Sequence, residues 1–179
     1  MIDIDDYNWE QIEIGAEKYD CIMEWFNEVD VSKDEEFQRK FTGFYRIRRS
    51  RELFLDKYYS YMESLKGSKP SFGEIIRKIN TFIGSIEPSF SSKLLATLDP
   101  NMPVWDQYVL ANIGINAPSQ YSKTIEKCIY IYDRIVKWYE KFLLSEEAKE
   151  MIDLFNEELP QYKHFTDIKK IDLMFWQKR

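Results

Sequence analysis

Apolar residues recur every three or four positions along nearly the whole chain, in stretches separated by short breaks. This spacing places them on one face of an α-helix, whereas a half-buried strand would alternate apolar and polar residues. The first stretch contains Trp9, Ile12, Ala16, Tyr19, Met23 and Phe26. Glycine and proline, which interrupt regular elements, number only six each among 179 residues. We therefore expect a chain built of long helices joined by short connections.

Local signals mark where several of these helices begin and end. Ser32-Lys-Asp-Glu35 and Ser71-Phe-Gly-Glu74 both match the capping box. In this motif a serine and a glutamate three residues later each accept a hydrogen bond from the other's backbone N–H. Gly67 suits the left-handed position that follows a helix C-terminus. Two helices are therefore expected to start at these boxes, and the helix before the second box to end near Gly67.

The apolar helix faces and the helix-boundary signals together predict an all-α fold, a single globular domain of about eight or nine helices. The longest helix is expected from about Ser119 to Leu144, and a shorter one from Trp105 to Ile113. The chain is 44% apolar and 16% aromatic. That composition is sufficient to build a hydrophobic core between the helices.

Composition also argues against several classes of protein. The sequence contains no apolar run of about 18 residues, so no membrane-spanning segment is predicted. The acidic N-terminus lacks the pattern of a signal peptide. The two cysteines, Cys21 and Cys128, have no metal-type spacing, and the single histidine, His164, excludes a His-rich metal site. We expect a cytoplasmic protein without a metal or other cofactor.

Charge is distributed unevenly. Residues 1–36 contain 13 acidic and 2 basic side chains, whereas the rest of the chain has 18 acidic and 23 basic ones. We therefore divide the chain into an acidic helical segment, 1–36, and a helical core domain, 37–179. Six bases and no acid occur between Phe37 and Arg51. Such a run can bind phosphates, but on charge alone solvated helix faces, or pairing with the acidic segment, is the favoured interpretation.

The segment from Pro88 to Asp106, PSFSSKLLATLDPNMPVWD, combines reactive groups with special backbone residues. Lys93 lies on an otherwise apolar helical turn, and Asp106 follows a proline-bounded loop at the start of the next helix. Burial favours the neutral form of a lysine, which is a nucleophile. The same two residues also fit a structural role, with Lys93 paired to a carboxylate and Asp106 capping a helix. Both interpretations remain open on the residues alone.

The order of elements in this segment is a hairpin turn, a lysine-bearing helix, a short loop and Pro-Val-Trp-Asp at a helix start. It resembles the helix-hairpin-helix superfamily of base-excision DNA glycosylases, especially the 8-oxoguanine glycosylase-like branch. The C-terminal run from Ile171 to Trp176 is similar to the ending of that branch. The stretch from Phe37 to Gly114 also looks like a family of bacterial proteins of unassigned function. It shares Phe-Tyr-Arg-x-Arg-Arg from Phe44, Ser-Phe-x-Ser-Lys from Ser89, and the Pro-Val-Trp-Asp.

The resemblance implies a role for each of the matching residues. Lys93 would attack the sugar of a flipped nucleotide and form a Schiff base, and Asp106 would accept the amine proton or stabilise the cationic sugar. DNA is the implied partner. The nucleic-acid contacts implied by the resemblance and by the aromatic and basic run are Tyr45, Arg46, Arg48, Arg49, Ser89, Ser91, Ser92 and Trp105.

The sequence departs from the glycosylase pattern in three ways. The Leu-Pro-Gly-x-Gly hairpin is replaced by Ile86-Glu-Pro-Ser-Phe-Ser, so the glycines that let backbone approach a phosphate are missing. The spacing from Lys93 to Asp106 is shorter by more than a helical turn. The four-cysteine iron–sulfur cluster of some members cannot form.

Two functional hypotheses follow from these motifs and departures. The first is a glycosylase-like, DNA-binding protein whose Lys93 and Asp106 line one open cleft. The second is a noncatalytic helical protein-interaction module on the same scaffold.

Overall fold

The computed structural model describes residues 7–47 and 52–177. Its regular elements are helices, and no strand occurs within these two ranges. The nine α-helices are α1 (Trp9–Glu28), α2 (Glu35–Phe44), α3 (Glu52–Ser64), α4 (Phe72–Ile83), α5 (Pro88–Leu98), α6 (Gln107–Asn112), α7 (Ile125–Phe142), α8 (Glu146–Glu158) and α9 (Asp167–Gln177). Short 3-10 helices span Gln120–Ser122 and Pro160–Tyr162. The all-α prediction is confirmed over the described residues.

Two predicted helix boundaries are wrong. α2 is capped by the Asp34 side chain, which accepts the N–H of Phe37, while Ser32 lies in the preceding turn and donates to Asp30. An aspartate adjacent to the first helical residue is as good a cap as serine, so the nearer residue is used. The expected helix from about 119 starts only at Ile125, where Thr124 caps α7.

The second capping box forms as expected. The Ser71 hydroxyl accepts the N–H of Glu74, and the Glu74 carboxylate accepts the N–H of Ser71, so α4 begins at Phe72. The helix ends at Gly84, whose φ of 76° lies in the left-handed region that glycine adopts without strain. These two signals fix the position of the turn that leads into α5.

The acidic N-terminal helix shares its core with the rest of the fold. α1 packs against α2 and α9 and buries Ile12, Ala16, Tyr19, Ile22 and Phe26. The ring of Tyr19 meets that of Phe165 edge-on at 5.1 Å between centroids. The boundary between an acidic segment, 1–36, and a core domain, 37–179, rests on the charge distribution and stays a prediction.

Helix α5 lies at the centre of the fold. The seven consecutive residues from Ser91 to Thr97 are all buried. α4 packs along α5, and the Tyr58 hydroxyl of α3 donates to the carbonyl of Phe90 at 2.9 Å. A helix buried on every side must satisfy its polar side chains internally, and this requirement governs the arrangement of the residues around Lys93. None of the helices in the described ranges is long and apolar enough to cross a membrane.

Replacement of Ser71 by alanine tests the capping box. The variant loses one side-chain acceptor at the start of α4, so the free energy of unfolding should fall by about 1 kcal/mol. Urea unfolding followed by circular dichroism measures it. Thr81→Ala is the control, because Thr81 is exposed and its hydroxyl bonds only within α4. An equal loss in both variants would contradict a specific contribution from the cap.

Candidate functional site

Lys93 is enclosed in the core. Its side chain is 6% exposed, and its Nζ donates to the main-chain carbonyl of Tyr45 at 3.0 Å. The ammonium also lies 5.7 Å from the centre of the Tyr45 ring. Burial lowers the pKa of Lys93, and the negative charge of Asp106 opposes that shift. Lys93 thus has the desolvated environment expected for a reactive amine, but its amine is already held by a backbone oxygen.

Asp106 caps helix α6. Its carboxylate accepts the N–H of Tyr108 at 2.9 Å, which satisfies one of the free donors at the helix start. The side chain is half-buried, so one side of the carboxylate faces an opening in the surface. Asp106 therefore caps α6, which is one of the two roles that the sequence left open, and its carboxylate is also accessible to a ligand in the pocket.

The opening is a pocket of about 150 Å³ between α1, α2, α6 and α9. It combines one carboxylate, two cations, an amide and several aromatic rings. Its polar lining comes from Gln11, Lys18, Arg46 and Asp106, and its half-buried aromatic lining from Phe44, Tyr108 and Trp176. Tyr45 also borders the pocket but is almost fully buried. Lys93 is not one of its lining residues, and its amine is hydrogen-bonded to the main-chain carbonyl of Tyr45.

Three helices hold the chain just before Asp106. The Ser92 hydroxyl of α5 accepts the N–H of Trp105 at 2.8 Å. The Tyr132 hydroxyl of α7 donates to the carbonyl of Pro103 at 2.8 Å. The Asp172 carboxylate of α9 is hydrogen-bonded by the backbone N–H of Val104. Because Asp106 follows this segment directly, its position in the pocket depends on these three side chains.

Asp172 belongs to a buried network that sequence reasoning missed. It accepts a hydrogen bond from the Tyr139 hydroxyl and lies 3.6 Å from Lys169 Nζ, and both charged side chains are almost fully enclosed. Burial raises the pKa of Asp172, and the charge of Lys169 opposes this. Burial lowers the pKa of Lys169, and Asp172 opposes that in turn. The only sequence signal was one aspartate inside the apolar run from Ile171 to Trp176.

The predicted nucleic-acid contacts fall into different environments. Arg46 is exposed and lines the pocket, and its φ of 50° is the only positive value of a non-glycine residue in the described ranges. Tyr45 and Trp105 are 3% and 5% exposed, so their rings pack in the core rather than offering a free face. Arg48 and Arg49 lie outside the described residues.

Two of the three predicted serines, Ser91 and Ser92, form hydrogen bonds within their own helix. The Ser91 hydroxyl donates to the carbonyl of Glu87 at 2.8 Å, and the Ser92 hydroxyl to that of Ser89 at 3.0 Å. Both are buried, whereas Ser89 is half-buried. Serine hydroxyls readily bond to carbonyls three or four residues earlier in a helix. Ser91 and Ser92 are therefore engaged within the fold, and only Ser89 retains some access to a ligand.

Comparison of the chain with protein-family models, with curated proteins and with solved structures gives no match. The relationship to DNA glycosylases stays an expectation based on the motifs. The functional argument therefore depends on the geometry of the Asp106 pocket.

Replacement of Lys169 by methionine tests the buried ion pair. Asp172 then loses its cation, and its pKa should rise further above the unfolded value of about 3.9. The folded state then holds that proton more tightly than the unfolded state, so the free energy of unfolding falls as pH rises. Urea titrations should show a loss of about 3 kcal/mol near pH 8 and a smaller loss near pH 5.

The double variant Lys169→Met, Asp172→Asn provides the control. It removes both charges while the asparagine oxygen still accepts a hydrogen bond, so it should be more stable than the single variant near pH 8 and less dependent on pH. A single-variant loss of equal size at both pH values would show that lost packing, rather than the uncompensated carboxylate, accounts for the effect.

Proposed function

We propose that the protein binds DNA and accommodates one extruded base in the Asp106 pocket. The observation that carries the proposal is the convergence of aromatic rings, cations and a carboxylate on one small pocket. Proteins that take a base out of a duplex read its edge by hydrogen bonds and stack its face on aromatic side chains. Both kinds of group line this pocket.

The size of the pocket suits a single ring system. Its volume of about 150 Å³ is below the roughly 300–1,000 Å³ of pockets that enclose drug-sized ligands. Phe44 and Trp176 contribute adjoining rings whose centroids lie 5.2 Å apart. Gln11 and Asp106 supply the hydrogen-bonding groups that a base edge requires. A planar heterocycle is thus a better candidate than an extended ligand.

Positive charge beside the pocket supports a phosphate-bearing partner. Lys18 and Arg46 are both exposed and both line the opening. Arg46 belongs to the basic run from Phe37 to Arg51, in which no acid occurs. A guanidinium presents a planar set of donors that matches phosphate oxygens. A nucleotide whose base enters the pocket would bring its phosphates to this rim.

The order of elements supports a helix-hairpin-helix glycosylase-like scaffold as part of the proposal. α4 and α5 pack together and are joined by a short turn after Gly84. α5 carries Lys93, and α6 begins directly after Asp106. In the glycosylases that this segment resembles, the aspartate supports positive charge that develops on the sugar. Asp106 has the access that such a role requires.

Lys93 is proposed to act as a packing and positioning residue rather than a nucleophile. Its amine donates to the carbonyl of Tyr45, and Lys93 does not line the pocket. A nucleophile must come within hydrogen-bond reach of the atom that it attacks.

The burial of Lys93 also favours a second candidate function, the noncatalytic protein-interaction module, since a lysine whose amine serves packing requires no chemistry. The absence of any DNA affinity would favour that candidate.

Filling the pocket tests the proposed function. Gly43 lines the pocket from α2, and a Cβ added there meets no atom within 4 Å. Gly43→Leu should therefore fold while obstructing the space. A duplex with one unpaired base should bind the unmodified protein more tightly than a matched duplex, by the ~1–3 kcal/mol of one stacked base. Gly43→Leu should lose this preference in fluorescence anisotropy.

Two further variants serve as controls for the pocket. Gly43→Ala adds only a methyl group and should keep the preference. Asp106→Asn retains an oxygen that can cap α6 while removing the charge, so it reports on base recognition without loss of the helix start. A Gly43→Leu protein that folds and still prefers the unpaired base would exclude this pocket as the binding site.

Borohydride trapping on a duplex with an abasic site tests the role of Lys93. We expect no covalent adduct, because the amine is held in the core. If an adduct forms, Lys18→Gln and Lys93→Met identify its source, since Lys18 is an exposed amine on the pocket rim. An adduct that disappears only in Lys93→Met would overturn the positioning role and restore Schiff-base chemistry.

A further inference from the structure

We propose that one face of α7 is a second DNA-binding surface that contacts the phosphate backbone of a duplex. This face, the α7 stripe, consists of Lys127, Tyr130, Arg134, Lys137 and Lys141. The inference rests on the proposed function in taking DNA as the partner, but it uses a surface separate from the Asp106 pocket.

The members of the α7 stripe share one side of the helix. Their spacings alternate between three and four residues, which keeps them within about 80° of one another around a helix of 3.6 residues per turn. From Lys127 to Lys141 the stripe extends about 21 Å. All five side chains are exposed, and Tyr130 retains 65% of its surface. The helix thus presents a straight row of cations with one aromatic ring among them.

The cations of the stripe are largely unpaired. Within residues 7–47 and 52–177, Arg134, Lys137 and Lys141 have no acidic partner within 4.0 Å. Some exposed lysines elsewhere are paired, such as Lys149 with Glu146 at 2.6 Å and Lys33 with Asp30 at 2.7 Å. Unpaired cations in a row attract an anionic partner without first having to break an internal ion pair.

The acids of α7 lie beside the stripe rather than within it. Glu126, Asp133 and Glu140 recur every seven residues and form a flank roughly 60–100° from its centre. Glu126 is engaged by Arg77 of α4 at 3.6 Å. An anionic partner centred on the α7 stripe therefore contacts the cations. The acids on the flank repel it and so disfavour contact on that side of the helix.

The dimensions of the stripe favour a nucleic acid over other anionic partners. One strand of duplex DNA carries a phosphate about every 3.4 Å along the axis. A stripe of about 21 Å spans roughly six such steps, and the winding of the strand leaves a few of these phosphates on the side that faces the stripe. Binding to a membrane surface would need a continuous apolar face beside the cations. Tyr130 is the only apolar member of the stripe. The chemistry is that of a polyanion with regularly spaced charges.

The N-terminal end of α7 is joined to the turn between α4 and α5. Lys123, just before the helix, donates from Nζ to the carbonyl of Ile86 at 3.0 Å. That turn corresponds to the hairpin in the resemblance to glycosylases. The stripe begins one helical turn beyond this contact, so a duplex that touches the turn can continue along α7.

The triple variant Arg134→Gln, Lys137→Gln, Lys141→Gln tests the stripe. With a matched duplex as the probe, affinity should fall by at least about tenfold, and the slope of log K against log salt should become less steep by about 3. The substituted side chains are exposed, so the melting curve should be nearly unchanged.

A matched control removes the same charge from other surfaces. The triple variant Lys33→Gln, Lys57→Gln, Lys149→Gln changes three exposed lysines that are not part of α7. It should leave the salt slope close to that of the unmodified protein. Equal losses in the two triple variants would show that only net charge matters and would overturn the proposal.

The remaining outcomes separate the stripe from the pocket. If the stripe variant loses matched-duplex affinity but keeps the preference for an unpaired base, both proposals stand. If it keeps full affinity and slope, the stripe proposal fails whatever the result for Gly43→Leu. If instead it loses a self-association seen by sedimentation, the stripe contacts the acidic α1 of a second copy, and the DNA assignment is wrong.

Discussion

The placement of polar groups inside an otherwise apolar core is the constraint on which the rest of the structure depends. α5 is buried along most of its length, and with it the ammonium of Lys93. A charged group removed from water must find partners, because an unsatisfied one costs several kcal/mol. The carbonyl of Tyr45 supplies one. This hydrogen bond ties the end of α2 to α5 and thereby places Tyr45 and Arg46 at the pocket.

The same principle accounts for Asp106. The segment before it crosses the core between α5, α7 and α9, where its backbone groups are bonded by Ser92, Tyr132 and Asp172. A loop held at three successive residues has little freedom, so the carboxylate that follows has a defined position. The two residues that the sequence singled out therefore have different environments. Lys93 is part of the core, whereas Asp106 reaches the surface.

Local signals explain what could be predicted from the sequence. Apolar spacing and caps depend on residues within a few positions, so an all-helical chain of about eight or nine helices and the start of α4 could be predicted from short windows, in agreement with the nine helices of the described residues. The burial of Lys93 and the pairing of Asp172 with Lys169 depend on helices far apart in the chain. Ser91 and Ser92 illustrate most clearly what the sequence does not determine. Their hydroxyls could face a phosphate or bond within their own helix, and only the packing of α5 decides between these two environments.

Net charge is a poor guide to the partner of this fold. The chain carries a net charge of −6, yet residues 1–36 contain 13 acids against 2 bases, whereas the rest of the chain has more bases than acids. α1 presents acids such as Glu17 and Glu24 at its exposed face, while α7 presents a row of cations. With a screening length of about 8 Å at physiological salt, a bound phosphate responds to the charges nearest to it rather than to the total. A negative net charge is therefore compatible with the proposed binding of DNA through local surfaces, and under that proposal the acidic helix would disfavour other orientations.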